Sequence, residues 1–204
     1  MERPPIFTIG HSDRKWGEFV EALQRYAIEV VVDVRTTPYS NRYPQFNADV
    51  LEKFLRQEQL KYLKLGKELG ARRTEPHLLS DVRQVWYPKV RLTPEFKTAV
   101  ARIEHGASEG HRIALLCMEA EPLECHRFPM IAYQLVRDGF EVQHILRDGT
   151  LRAHADVEAD MLRKFEKKIP QPSLFESAVG AADQLEAAYE QLNLAIGWKP
   201  KGNP

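Results

Sequence analysis

The sequence contains very few cysteines: Cys117 and Cys125 are the only two in 204 residues. Two thiols cannot build the disulfide framework of a small secreted domain, which leaves chemistry, metal binding or packing as their uses. Long apolar runs are also missing, since no stretch approaches the roughly 20 apolar residues of a membrane span. The first residues lack the apolar core of a signal peptide. We therefore expect a cytoplasmic protein without a membrane partner.

The chain also has no net charge at pH 7, because 29 basic residues balance 29 acidic ones. A neutral chain has no overall field that attracts nucleic acid, so any basic surface must be local. Residues 61–91 carry such a local excess, with eight Lys or Arg against three acids, and aromatic residues accompany it at Trp86 and Tyr87. This pattern predicts either a surface for a nucleic-acid strand or the rim of a small-molecule pocket.

Two periodicities alternate along the first 150 residues, short apolar runs and segments with helical spacing. The apolar runs predict strands near 6–10, 28–34, 60–65, 113–116 and 140–146. Helical spacing follows most of them, as in residues 48–57, whereas residues 66–90 read as a long loop. Such alternation is typical of an α/β fold. We expect a three-layer sandwich with a mainly parallel sheet of about five strands and helices on both faces.

The alternating pattern ends after Thr150. We therefore divide the chain into an α/β domain, residues 1–150, and a C-terminal extension, residues 151–204. The extension contains a short helical segment around Met161 and Phe165, a proline-rich stretch, and an Ala- and Leu-rich helix over 181–196.

Polar residues gather where the predicted strands end. The carboxyl ends of parallel strands share one edge of the sheet, and ligands of open α/β sheets bind there. The second strand, for example, ends at Asp33 and Arg35, and the strand 113–116 leads to Cys117. These ends predict a common site composed of His11, Ser12, Asp33, Arg35, Cys117, Glu119, Cys125, His126, Arg127 and Asp148.

We assign a first set of roles from side-chain chemistry. Cys125 would be a nucleophile, with a pKa lowered by a helix start and by Arg127. Proton transfer would fall to Asp33 or Glu119, with His11 or His126 as alternatives. The expected ligand-binding residues are Ser12, Arg35, Arg127, Cys117 and Asp148.

Other interpretations compete with these roles. Cys117 ends a buried strand, and a free cysteine in that position usually packs as a small apolar side chain. Asp33 and Arg35 lie on the same face of their strand and would form an ion pair with each other. Cys117, Cys125 and His126 together with another histidine would suit a metal, but a Cys-x7-Cys-His spacing is not a standard zinc pattern. We therefore predict no metal cofactor. A third alternative is an anion held between Arg35 and Arg127 without covalent chemistry.

Several short motifs together resemble the family catalogued as domain of unknown function 488. They occur in order over roughly residues 5–150: Thr8-Ile9-Gly10-His11-Ser12, Val32-Asp33-Val34-Arg35, Pro44-Gln45-Phe46-Asn47, Leu69-Gly70, Cys117-x-Glu119, Cys125-His126-Arg127, His144-Ile145 and Asp148-Gly149. The resemblance implies an α/β fold and no established reaction. The family's motif positions coincide with the predicted strand ends.

The extension contains the peptide Gln171-Pro172-Ser173-Leu174-Phe175. It resembles the short motif by which many bacterial polymerases and repair proteins dock on the sliding clamp, although Pro172 replaces the usual leucine. Peptides of this kind bind as extended segments, with apolar side chains in a pocket. Gln171, Ser173, Leu174 and Phe175 are thus the predicted partner-binding residues, unless Leu174 and Phe175 pack on the domain.

Three functions are compatible with these features. The first is a protein of DNA maintenance or repair that acts on a nucleic-acid or nucleotide-like ligand, with a cysteine-dependent transferase or hydrolase as the type of enzyme. The second is a non-catalytic adaptor that senses a nucleotide or metal and docks through its tail. The third is a small-molecule cysteine enzyme unrelated to DNA.

Overall fold

Six strands form a single sheet in the computed structural model, which describes residues 3–171 and 180–201. The strands are β1 (Ile6–Gly10), β2 (Val30–Asp33), β3 (Lys61–Lys64), β4 (Ile113–Cys117), β5 (Val142–Ile145) and β6 (Leu151–Ala153). Their order across the sheet is β3-β2-β4-β1-β5-β6. The first five are parallel, and β6 runs antiparallel to β5. The predicted α/β class and mainly parallel sheet are confirmed, with one strand more than expected.

Helices cover both faces of this sheet. Those over the described residues are α1 (Trp16–Arg25), α2 (Ala48–Gln57), α3 (Gly66–Leu69), α4 (Tyr87–Arg91), α5 (Pro94–Ser108), α6 (Tyr133–Arg137), α7 (His154–Phe165) and α8 (Ala181–Ile196). The apolar stripes of α1 and α2 pack on one face, against strand residues such as Ile9 and Leu116. The stripes of α5 and α6 pack on the other, against Val32 and Leu115. Because side chains alternate along a strand, each of the five parallel strands contributes to both cores.

A third apolar cluster joins the C-terminal helices to the segment that follows β4. Phe128 and Tyr133 pack there against Met161 of α7 and against Tyr189 and Leu192 of α8. Strand β6 continues the sheet beyond residue 150, so residues 151–153 extend it at one edge. The proposed boundary at residue 150 stays a prediction.

The helices at 48–57 and 181–196 have the predicted bounds. Residues 66–90 differ from the expected loop, because α3, the start of α4 and a 3-10 turn at Pro76–Leu78 give that segment regular structure. The helix expected after Cys125 begins as a π-helix, Arg127–Ala132, before α6. Among the described residues, every helix is too short or too polar to cross a bilayer.

Candidate active site

Three neighbouring strands, β2, β4 and β1, deliver the predicted site residues to one edge of the sheet. The backbone ladder continues past the strand ends and fixes the loops that follow. The amide of His11 donates to the carbonyl of Cys117 at 3.0 Å, and that of Ser12 donates to Met118 at 2.7 Å. As a result, residues more than 100 positions apart in sequence are adjacent.

Gly10 allows this close approach. A Cβ atom built on Gly10 would lie 1.8 Å from the carbonyl oxygen of Glu119, well inside van der Waals contact. Only glycine therefore lets the turn after β1 lie against the loop after β4. That contact sets the distance between His11 and the residues around Cys117.

A pocket of about 190 Å³ opens at this edge. Five predicted site residues line it, namely His11, Arg35, Cys117, Glu119 and His126. Further lining comes from three sources: hydroxyl groups of the loop after β2, basic Arg72, and the aromatic rings of Tyr39, Tyr87 and Trp198. The pocket thus combines cationic, acidic, sulfur and aromatic groups.

Asp33 and Arg35 form a buried ion pair that fixes the guanidinium at the pocket. The Nε and one terminal nitrogen of Arg35 donate to the two oxygens of Asp33 at 2.9 and 2.5 Å. Tyr62 donates its hydroxyl to the same carboxylate at 2.6 Å. Burial and the Asp33 charge both raise the pKa of Tyr62, so the phenol keeps its proton. Asp33 is fully engaged here, which makes it a support for Arg35.

The remaining terminal nitrogen of Arg35 donates to Nε2 of His11 at 3.0 Å. The other ring nitrogen of His11 donates to the carbonyl of Ser12 at 3.0 Å. Burial, followed by the nearby Arg35 charge, lowers the pKa of His11 to about 4. His11 is therefore neutral near pH 7, with both nitrogens occupied.

Two cysteines and a histidine converge at the pocket floor, where Cys117 and His126 line the pocket and Cys125 lies behind them. Nδ1 of His126 lies 3.7 Å from Sγ of Cys117 and 3.9 Å from Sγ of Cys125. The carboxylate of Glu119 accepts a hydrogen bond from Cys117 at 3.1 Å. Cys117 lines the pocket, whereas Cys125 is 1% exposed and lies behind it.

The ionisation of these groups is coupled. Burial raises the pKa of Cys117 and of Glu119, and the neighbouring Cys125 charge adds to both increases. Burial opposes ionisation of Cys125, but the adjacent thiol of Cys117, the charge of Arg127 and the contact with His126 outweigh the effect of burial and lower the pKa of Cys125. Burial also opposes protonation of His126, yet its contacts with Cys125 raise its pKa.

Arg127 is completely buried and does not line the pocket. Its terminal nitrogens donate to the carbonyls of Glu119 and Ala120 at 2.6 and 2.8 Å, and its Nε donates to Thr8 at 3.2 Å. Within residues 3–171 and 180–201 it forms no salt bridge with a carboxylate. Arg127 therefore holds the loop that carries Glu119, and its expected role in ligand binding stays a prediction.

From Thr8 a buried chain of hydrogen bonds leads to the C-terminal helices. Thr8 Oγ1 lies 2.8 Å from Nδ1 of His144, whose Nε2 is 3.2 Å from Nδ1 of His154. Nε2 of His154 is 2.8 Å from the hydroxyl of Tyr189, which donates to Glu158 at 2.7 Å. Because the last donor is fixed, every proton of the chain points from Arg127 towards Glu158.

One wall of the pocket is formed by Tyr87, Ile196 and Trp198. Tyr87 belongs to the aromatic residues expected at a rim, whereas Ile196 and Trp198 were not predicted. The end of α8 is held there by Gln84, which donates to the carbonyls of Asn193 and Gly197 at 2.8 Å each. The side chain of Asn193 in turn accepts from the amide of Tyr87 at 2.7 Å. Buried Gln and Asn require such partners, but the sequence offers no signal of which residues supply them.

Nine of the ten predicted residues thus occupy one neighbourhood, as pocket lining or in direct contact with it. The exception is Asp148, which lies in the turn between β5 and β6 and accepts from Thr150, next to a separate cleft. Of the predicted partner-binding residues, Gln171 is described, while Ser173, Leu174 and Phe175 lie outside the described residues.

Cys117, Cys125 and His126 each present one donor atom, and the three atoms lie within 4.8 Å of one another. All three residues are buried. The group could hold a metal ion, since thiolate sulfur and neutral imidazole are the donors that zinc prefers. The spacing of Cys117, Cys125 and His126 along the sequence does not indicate a metal site, because the three donor atoms come together only when the loop after β4 folds back.

The fold and the site define a class of protein. It is an α/β protein with a polar pocket at the carboxyl edge of a parallel sheet, and of its two buried cysteines one lines this pocket and the other lies behind it. The sequence model described as "Domain of unknown function DUF488" matches residues 15–133. The chain belongs to this family. Neither a curated protein nor a solved structure matches the chain.

Proposed function

We propose that this protein is an enzyme that acts on a nucleotide-like or nucleic-acid ligand bound in the pocket at the carboxyl edge of the sheet. One observation carries the proposal: residues from three strand ends meet in a single pocket whose fixed cation, Arg35, lies beside Cys117, Glu119 and His126. Ionisable groups held in this way are typical of catalytic sites.

The lining favours an anionic ligand that has an aromatic part. Arg35 and Arg72 supply positive charge suited to a phosphate, and Tyr39 and Trp198 offer rings against which a base can stack. The volume of about 190 Å³ is below the roughly 300–1,000 Å³ of common ligand pockets. A nucleotide would therefore insert one part, and the remainder would lie along the basic rim.

The roles follow from exposure and from existing contacts. Glu119 is the proton-transfer group, because it lines the pocket and lies 3.1 Å from Cys117. Asp33 and His11 orient Arg35, because their polar atoms are already engaged with it. Cys117 is the sulfur that a ligand can reach, and Cys125 supports it from behind.

Binding of a fluorescent ten-nucleotide single strand and of a nucleoside monophosphate tests the proposal. Arg72 is exposed at the rim, so Arg72→Gln should weaken binding about fivefold and reduce the salt dependence of strand binding. Arg56→Gln is the matched control, because Arg56 is exposed on α2, outside the pocket lining. Equal affinity of the two variants, or absence of binding by the wild type, would contradict the proposal.

A cysteine-dependent transferase or hydrolase is the second candidate, and the pocket position of Cys117 supports it. The substrate would then protect Cys117 from alkylation. Mass spectrometry of the protein, treated with iodoacetamide with and without nucleotide, would measure this protection. Unchanged alkylation under saturating nucleotide would eliminate this candidate.

A sliding clamp is the proposed partner, and the peptide at 171–175 is its support. A pull-down with purified clamp should retain the wild type and lose the Leu174→Ala, Phe175→Ala double variant. Retention of the double variant would reject docking through this peptide and would remove the main argument for a role in DNA maintenance.

A further inference from the structure

The donor triangle beneath the pocket has the dimensions of a zinc site. In tetrahedral coordination with Zn–S of about 2.3 Å and Zn–N of about 2.05 Å, sulfur and nitrogen lie roughly 3.6 Å apart. The two sulfur-to-Nδ1 distances here are 3.7 and 3.9 Å. The third side, between the two sulfurs, is within 4.8 Å, whereas two Zn–S bonds at the tetrahedral angle place sulfurs roughly 3.8 Å apart. A metal can therefore enter if the two thiols approach each other by about an ångström or less.

The ring of His126 is already oriented for ligation. Its Nε2 lies 3.3 Å from the carbonyl oxygen of Val34, an acceptor, so this nitrogen carries the proton. In the neutral ring that binds a metal, Nδ1 then carries the lone pair, and this atom is the one within 3.9 Å of both sulfurs. A backbone carbonyl on the second ring nitrogen is the usual support of a metal-binding histidine.

The open face of the triangle, where a fourth ligand of the metal would bind, is on the side of the pocket. Cys117 and His126 line the pocket, as does Glu119, whereas Cys125 closes the site from within. Three protein donors with an open position are typical of catalytic zinc sites, and closed sets of four are typical of structural ones. The burial of Cys125, which hinders its use as a nucleophile, presents no obstacle to a ligand.

We propose that Cys117, Cys125 and His126 bind a zinc ion whose fourth position opens to the pocket, with Glu119 beside it as a proton-transfer group that is not a ligand. This inference deepens the proposed function by supplying its chemistry, and it rests on that function only for the identity of the substrate. A zinc ion there would polarise a substrate oxygen and activate water near neutral pH.

Metal analysis of the full-length protein tests the site without any substrate. Protein purified under reducing conditions and dialysed against Zn²⁺ should retain one zinc per chain. Cys117→Ser, Cys125→Ser and His126→Asn should each lower zinc affinity at least tenfold. His105→Asn is the control, because His105 is exposed on α5, and it should retain the metal. A wild type without zinc, or ligand variants that bind as tightly as the control, would overturn the proposal.

Cobalt substitution keeps the test decisive if the ligand variants fail to fold. Wild type loaded with Co²⁺ should show a thiolate-to-metal charge-transfer band and visible bands of tetrahedral intensity. Absence of the charge-transfer band would overturn ligation by the cysteines. Glu119→Gln should retain zinc with wild-type affinity, and its loss of the metal would refute the open fourth position.

Nucleotide binding by zinc-loaded and chelator-treated protein separates the two proposals. Zinc retained without nucleotide binding would leave the metal site intact and refute the proposed function. Nucleotide binding by a protein that cannot hold zinc would refute the zinc site and leave the proposed function intact.

Discussion

Single residues at the pocket are constrained by close contacts, and Gly10 is the clearest case. Gly10→Ala should lower the free energy of unfolding by about 3 kcal/mol, because its Cβ would overlap the backbone carbonyl of Glu119. Urea denaturation measures this loss. Gly17→Ala is the control: a Cβ there meets nothing within 4 Å inside helix α1, so it should be neutral or stabilising by up to about 1 kcal/mol. Equal stability of both variants would show that the loop does not need the close approach.

Asp33 is constrained by charge. Asp33→Asn should lower the free energy of unfolding by about 3 kcal/mol, because it leaves the guanidinium of Arg35 buried without its counter-ion. Glu52→Gln removes an ion pair of similar length with Lys64, but at the surface, and should cost less than about 1 kcal/mol. Thermal and urea unfolding compare the two, and a loss for Asp33→Asn no larger than for Glu52→Gln would contradict the supporting role of the pair.

At the scale of elements, the C-terminal helices α7 and α8 are connected to the site by the hydrogen-bond chain that ends at Glu158. Tyr189→Phe removes the hydroxyl that accepts from His154 and donates to Glu158. The loss of both bonds should lower the free energy of unfolding by about 1–2 kcal/mol. Hydrogen exchange should show the earliest opening in α7 and α8.

Tyr39→Phe serves as the control for this change. Tyr39 is 65% exposed, and its hydroxyl donates to Asn41 at the surface. Its removal should alter stability by less than about 0.5 kcal/mol. If Tyr189→Phe matches this control, the chain contributes nothing to the docking of the helices.

At the scale of the whole molecule, buried histidines make stability depend on pH. Burial, followed by the charges of His154, Arg127 and Arg152, lowers the pKa of His144 well below its usual value. Below about pH 6.5 the unfolded chain binds a proton at this position that the folded protein does not. Stability therefore falls as the pH falls, by up to about 1.4 kcal/mol per pH unit. His11, with a pKa of about 4, acts in the same direction.

Other groups oppose this trend, so a difference between variants is the sharper measurement. The pKa of His126 is raised, and burial with a hydrogen bond to Asp138 raises the pKa of Glu104 to about 7. As the pH falls from 6.5 to 5, the free energy of unfolding of the wild type should decrease relative to that of His144→Asn. His105→Asn, on the exposed face of α5, should show no such shift. If the difference in stability between wild type and His144→Asn does not change with pH, the lowered pKa of His144 is not a cause of the pH dependence.

The sequence by itself determined the local structure and the neighbourhood of the site. Apolar periodicity depends on neighbouring residues only, so it located strands and long helices, and the shared edge of parallel strands then placed His11, Arg35 and Cys117 together. The features that the pattern did not reveal depend on long-range contacts. His154 is buried in the hydrogen-bond chain, and Asp148 follows a strand but lies apart from the pocket.

Only the tertiary structure decided which of these side chains face the pocket. Val34 and His126 are 92 positions apart, and Thr8 and Arg127 are 119 apart, yet these contacts fix the ring of one residue and the guanidinium of the other. The same folding places Cys117 at the pocket and Cys125 behind it. Such relations depend on how elements pack in three dimensions, and a pattern of neighbouring residues carries no information about them.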